Sequence, residues 1–95
     1  MSSYSFTISM DGEDLGTHTA LSIVLEESIE EARQALMSLA PLFRPVIAEC
    51  LMTIGDREDR RELGVWTYDR TRSALEWRAS WPQPQAERFM NESRR

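Results

Sequence analysis

Three groups of residues in this sequence carry side chains able to do chemistry. The first is His18 with Cys50, the only histidine and the only cysteine. Nucleophilic catalysis would need Cys50 or a serine activated by His18, with an acid orienting the imidazole. Cys50 stands in the most apolar stretch of the chain, where a thiol is expected to be an inert, buried small hydrophobe. His18 is expected on the exposed face of an edge strand. A soft metal wants three or four convergent His or Cys ligands, and this pair, 32 positions apart, cannot supply them.

The second group is Asp11, Glu13 and Asp14, three carboxylates in one turn. A calcium loop would need the Asp-x-Asp-x-Asp-Gly framework and a distant glutamate, and both are absent. The other carboxylates lack the apolar flanks that would raise a pKa for acid/base work. The four glycines are scattered, so no phosphate-cradling loop forms. No catalytic residues, no metal and no cofactor are expected, and the chain reads as a non-enzyme.

The third group is aromatic. Trp66, Tyr68, Trp77 and Trp81, with Arg70, Arg72 and Arg78, have the makings of a stacking platform for single-stranded nucleic acid. The same alternation is explained by a core under a helix, and that is the reading adopted. Trp81, last before Pro82, is expected to reach a surface and anchor an interface.

The elements that position these residues follow from periodicity. Tyr4, Phe6, Ile8 and Met10 alternate with Ser5, Thr7 and Ser9, the mark of a strand with one buried face. Asp11-Gly12 supplies the positive φ angles of a two-residue hairpin turn. That turn would set Ile8 opposite Leu15, Phe6 opposite Thr17 and Tyr4 opposite Thr19, with His18 outside by Ser5. The returning strand is polar and reads as an edge. Leu21 to Leu25 is a short apolar run, either an extension of that strand or the approach to a helix.

Ser28 and Glu31 have the spacing of a capping box, which starts a helix at Ser28. Ile29, Ala32, Ala35, Leu36 and Leu39 form its apolar face, and Pro41 ends it near Ala40. Met37 is the exception, apolar on the polar side. Residues 46–54 fit either strand or helix by periodicity. Pro45, Gly55 and the good helix formers between them favour a short buried helix over about 45–55. Gly55 to Leu63 is a mixed-charge solvated segment. Gly64 to Asp69 and Ala74 to Trp81 form a second hairpin, pairing Trp66 with Trp77 and Tyr68 with Leu75.

The expected architecture is α+β in two layers: an antiparallel sheet of two hairpins with one or two helices packed on one face, in ββααββ order. Residues 1–82 make the single domain and 83–95 a polar C-terminal tail. With 95 residues there is no room for a second core. One cysteine excludes an intramolecular disulfide, and no signal segment or membrane span is visible, so a cytoplasmic location away from membranes is expected.

Charge supplies the functional lead. Sixteen acids against eleven basic residues, all arginine, give a net charge of −5, and the pI is about 4.8, which argues against direct nucleic-acid binding. The acids are not evenly spread. Residues 1–31 hold Asp11, Glu13, Asp14, Glu26, Glu27, Glu30 and Glu31 with no arginine, a balance of −7, while 32–95 balance at +2. Glutamates in a first helical turn also suit the helix dipole. If hairpin tip and helix start share a side, they form an acidic lobe that steers association with a basic protein.

The expected function is therefore a stoichiometric inhibitor or immunity-type protein. It would block a basic, nucleic-acid-binding partner such as a nuclease toxin or a CRISPR or restriction complex. The seven acids would attract, and Met37 or Trp81 would anchor. The alternative is a self-associating adaptor domain, a homodimer through an edge strand or Trp81.

Overall fold

The computed structural model describes residues 3–55 and 60–80. Trp81 and the tail 83–95 lie outside them. The order is β1 (Tyr4–Met10), β2 (Glu13–Thr19), α1 (Leu25–Phe43), β3 (Ile47–Ile54), β4 (Arg61–Asp69) and β5 (Ala74–Ala79). The strands make one antiparallel sheet in the order β2-β1-β3-β4-β5. Helix α1 packs on one face, against β3, β1 and β4. The α+β class holds, but the order is ββαβββ with one helix.

The missing second helix is β3. Ala48, Cys50 and Met52 are fully buried on one side of it, so the two-residue period wins over the helix-forming tendency of Ala, Glu, Leu and Met. The cause is tertiary. As a strand, residues 47–54 pair with β1 on one side and β4 on the other, giving backbone partners to three strands at once. Strand β4 also starts earlier than Gly64, at Arg61, because a register shift at Met52/Thr53 accommodates Leu63 as an extra residue. Leu63 is buried there.

The first hairpin turns as expected, with Asp11 at φ 52° and Gly12 at φ 85°. Its register does not hold. After Met10↔Glu13 and Ser9↔Asp14 it shifts, so Ile8 faces Gly16, Thr7 faces Thr17 and Phe6 faces His18. Leu15 is the extra residue of a β-bulge, made possible by Gly16 at φ 125°. The Gly16 amide donates to Asp14 Oδ1 at 2.7 Å. Thr17 thereby meets Thr7, their hydroxyls 2.7 Å apart, and His18 tilts over Phe6 with ring centroids 5.7 Å apart. Strand β2 is the polar edge strand that its composition implies.

Helix α1 starts one turn before Ser28, with Val24 at its N-cap. The two residues of the expected box still hold the chain that enters the helix. Buried Ser28 donates through Oγ to the Ser22 carbonyl at 3.0 Å. The Glu31 carboxylate accepts from the Leu21 amide at 2.9 and 3.0 Å. Ser22 Oγ accepts from the Val24 amide at 3.0 Å. At the other end Pro41 lies inside the helix, which runs on to Phe43. Proline removes only one amide of the last turn, and the Arg44 amide closes it by donating to the Ala40 carbonyl at 2.8 Å, with Arg44 at φ 50°.

Between the layers lie Phe6, Ile8 and Met10 of β1, Ala48, Cys50 and Met52 of β3, and Ala32, Leu36 and Ala40 of α1. Truncating a fully buried residue such as Leu36 costs about 2–5 kcal/mol in cores of this kind. The second hairpin has the expected pairing, Trp66↔Trp77 and Tyr68↔Leu75.

Candidate protein-binding surface

The sheet topology decides where the acids go. Strand β2 ends beside the start of β1, where Thr19 pairs with Ser5 and the Ala20 amide donates to the Tyr4 carbonyl at 2.8 Å. The helix begins at this end. It finishes at the other, where the Asp11 carboxylate accepts from the amides of Val46 at 3.0 Å and Ile47 at 2.9 Å. The helix has 19 residues, a length of about 28 Å at 1.5 Å per residue. Asp11, Glu13 and Asp14 therefore stand at one end of the molecule, and Glu26, Glu27, Glu30 and Glu31 at the other. The single acidic lobe conditional on their sharing a side does not form.

Several of the seven acids already have structural partners. Asp11 holds the start of β3, Asp14 the bulge, and Glu31 the turn before the helix. Glu30 pairs with Arg33, and that guanidinium, with a smaller contribution from Gln34, holds the Glu30 carboxyl below its ordinary range. Glu13, Glu26 and Glu27 are exposed, with no side-chain partner among the described residues. Glu26 and Glu27 sit in the first turn of the helix.

The helix start is the stronger of the two acidic sites. Glu26, Glu27, Glu30 and Glu31 line an open trough completed by Leu21, Ser22 and Gln34. Beside it Leu21 is 92% and Ile23 78% exposed, the two most exposed large apolar side chains among the described residues. The sequence shows Leu21 to Leu25 as an apolar run. Their exposure follows from the Glu31 and Ser22 hydrogen bonds, which pin the backbone and turn these side chains outward. A glutamate ten residues downstream of Leu21 is the only hint of that grip in the sequence.

Met37 is half-buried and stands apart from this trough. It lines a second groove, at the helix C-terminus, with Pro41, Arg44, Tyr68 and Arg70. Trp81 lies outside the described residues. Trp66 and Trp77 are half-buried against the core, and Trp66 Nε1 donates to the Ile29 carbonyl at 2.9 Å. That edge of Trp66 lies under the helix, so these rings serve the core rather than a base-stacking platform.

His18 and Cys50 do not meet, because β1 lies between their strands. Burial pushes the Cys50 thiol up to about 12, which leaves it protonated and unreactive at neutral pH. Among the described residues no group of three or more His, Cys, Asp or Glu could hold a metal ion, and no helix is long and apolar enough to cross a membrane. Comparison with protein-family models, with curated proteins and with solved structures finds no match.

Proposed function

We propose that the protein is a non-catalytic binding domain that occupies a basic surface on a nucleic-acid-binding protein. It would act as stoichiometric inhibitors and immunity-type proteins do on nuclease toxins or on CRISPR and restriction complexes. The observation that carries this reading is the trough at the helix start. Glu26 and Glu27 face solvent there beside the exposed Leu21 and Ile23. Acidic side chains steer encounter with a basic partner, and apolar ones supply the short-range contact that slows dissociation.

The test is capture of binding proteins from the native host at rising salt. Wild type is compared with Glu26→Arg/Glu27→Arg and with Leu21→Ser/Ile23→Ser. Glu30 is left alone because its pairing with Arg33 would confuse charge with helix stability. The expected result is a basic protein that loses its own nucleic-acid binding at one equivalent of this chain. Its capture should weaken with salt and be lost with either double variant. A partner retained equally by all three proteins, or one that keeps its nucleic acid when saturated, overturns the reading.

A further inference from the structure

We infer that two copies of this chain pair along β5, antiparallel about a two-fold axis at Trp77, so that one sheet runs through both. The sheet ends in β2 on one side and β5 on the other, and the two edges differ. Strand β2 carries the bulge at Leu15 and the like charges of Glu13 and Asp14, devices that keep an edge from pairing with another strand. Strand β5 has no bulge and no proline, and its register with β4 runs unbroken from Gly64↔Ala79 to Asp69↔Ala74.

The ladder shows which backbone groups face outward. The Ser80 amide donates to the Leu63 carbonyl at 3.0 Å. These residues stand opposite one another, one step beyond Gly64↔Ala79, so theirs is a hydrogen-bonded pair. Such pairs alternate along an antiparallel ladder. Arg78, Glu76 and Ala74 therefore turn their backbone groups toward β4, and Leu75, Trp77 and Ala79 turn theirs outward. No described residue bonds those outward groups, which are the ones an added strand takes up.

The side chains select a second copy as that strand. Glu76 and Arg78 are the charged residues of β5. They flank Trp77 on the sheet face away from the helix, opposite the uncharged Thr67 and Val65 of β4. Arg78 has no ion pair among the described residues. The contact of Arg72 with Glu76, at 3.7 Å, joins two exposed side chains and holds little. Glu49, beyond Thr67, is two strands from Glu76, about 9–10 Å. With Trp77 on the axis, Glu76 of each copy faces the partner's Arg78, and like charges fall on the diagonals. An axis at Glu76 or at Arg78 would set like charges directly opposite, which destabilises a strand pair. The Trp77 axis also bonds the outward groups, Trp77 to its own copy and Leu75 to the partner's Ala79. The contact uses no residue of the acidic trough, so it goes beyond the heteromeric reading and stands apart from it.

Sedimentation of the full chain from micromolar to millimolar concentration, with amide exchange at both limits, tests the inference, because a single strand pair is a small contact. Wild type should pass from monomer to dimer and no further, and exchange at Leu75, Trp77 and Ala79 should slow as it does. Glu76→Arg and Arg78→Glu should each weaken dimerisation about tenfold, since each sets like charges opposite one another. Glu76→Arg/Arg78→Glu should restore it. Ala79→Pro removes an outward N–H and no bond to β4, and should prevent dimerisation with the circular dichroism unchanged. A wild type monomeric throughout overturns the inference, whether those amides exchange freely or are protected at every concentration by residues 81–95. So does a dimer indifferent to Ala79→Pro, or a double variant no tighter than the single ones. Glu26→Arg/Glu27→Arg should still dimerise and Arg78→Glu should still capture the heteromeric partner, so the two readings fail separately.

Discussion

Gly64 of β4 offers a quantitative test of the fold. It is buried, and its backbone is not in the left-handed region, so steric space alone requires glycine. A Cβ built there would stand 2.5 and 2.7 Å from ring carbons of Trp77 and 2.7 Å from the Arg78 carbonyl oxygen. Ordinary contact between carbons is about 3.5–4.0 Å, so the overlap approaches an ångström. Neither neighbour yields easily. Trp77 packs on Trp66 with centroids 5.5 Å apart, and the Arg78 carbonyl belongs to the β4–β5 ladder.

Overpacking of this kind costs about 1–3 kcal/mol. Alanine recovers about 0.4–1 kcal/mol by restricting the unfolded chain. With the overlap near an ångström the cost belongs at the upper end of that range, so the net expectation for Gly64→Ala is a loss of about 1–2.5 kcal/mol, or about 5–20 °C in Tm for a domain of this size. The assay is thermal unfolding followed by circular dichroism, repeated in a Trp77→Val background. Two of the three clashes vanish there, so the loss should shrink without disappearing. A Tm unchanged or raised by Gly64→Ala would refute this packing of β5 on β4.

The other predictions concern the acids and the thiol. Asp11→Ala should lower stability by about 1 kcal/mol, the usual worth of a capping carboxylate, because the Val46 and Ile47 amides lose their acceptor. Asp11→Asn should cost less, keeping one oxygen and tolerating positive φ; equal denaturant midpoints for wild type and Asp11→Ala would contradict the assignment. Glu31→Gln should loosen the Leu21–Val24 segment, visible as faster amide exchange at Leu21 and Ser22, and weaken partner capture with Glu26 and Glu27 intact. Cys50 should resist thiol reagents in the native state and react on unfolding. Its native pKa lies above that of the unfolded thiol, so the stability it contributes is complete below about pH 8.5 and declines as pH rises toward 12. Rapid native labelling at neutral pH would contradict its burial.

Elements marked by plain alternation or by a turn dipeptide were legible in the sequence; those that depended on a partner strand, or on which of several permitted local conformations the chain takes, were not, and the helix accordingly starts at Leu25 rather than at Ser28. The alternation in β1, the Asp11-Gly12 turn and the Trp66–Trp77 pairing each depend on residues close in sequence. Residues 47–54 became a strand because β1 and β4 both needed a partner, which no window centred on Cys50 reveals. The bulge at Leu15 followed from Gly16, a residue whose φ of 125° the sequence permits but does not demand. The charge segregation was visible as composition. Its division between two ends depended on the helix running from the Tyr4 end of the sheet to the Asp11 end, a consequence of sheet order.

That division changes what the acids can do. Asp11 and Asp14 stand about a helix length from Glu26 and Glu27, and at 0.15 M ionic strength charges separated by more than about 8 Å are largely screened from one another. They cannot act as one field at close range. Asp11 and Asp14 are held by backbone amides, so reversing them would disturb the hairpin and β3 before it reported on any partner. Glu26 and Glu27 have no side-chain hydrogen bond or ion pair among the described residues, and the local dipole of the helix start already favours them. Reversing them forfeits that dipole term, so the neutral Glu26→Gln/Glu27→Gln is the necessary control. If attraction to a basic surface is their role, binding should fall from wild type through the glutamine variant to the arginine variant, with the gradient flattening as salt rises. If they serve only the helix, stability should follow that order while binding by the folded fraction stays constant.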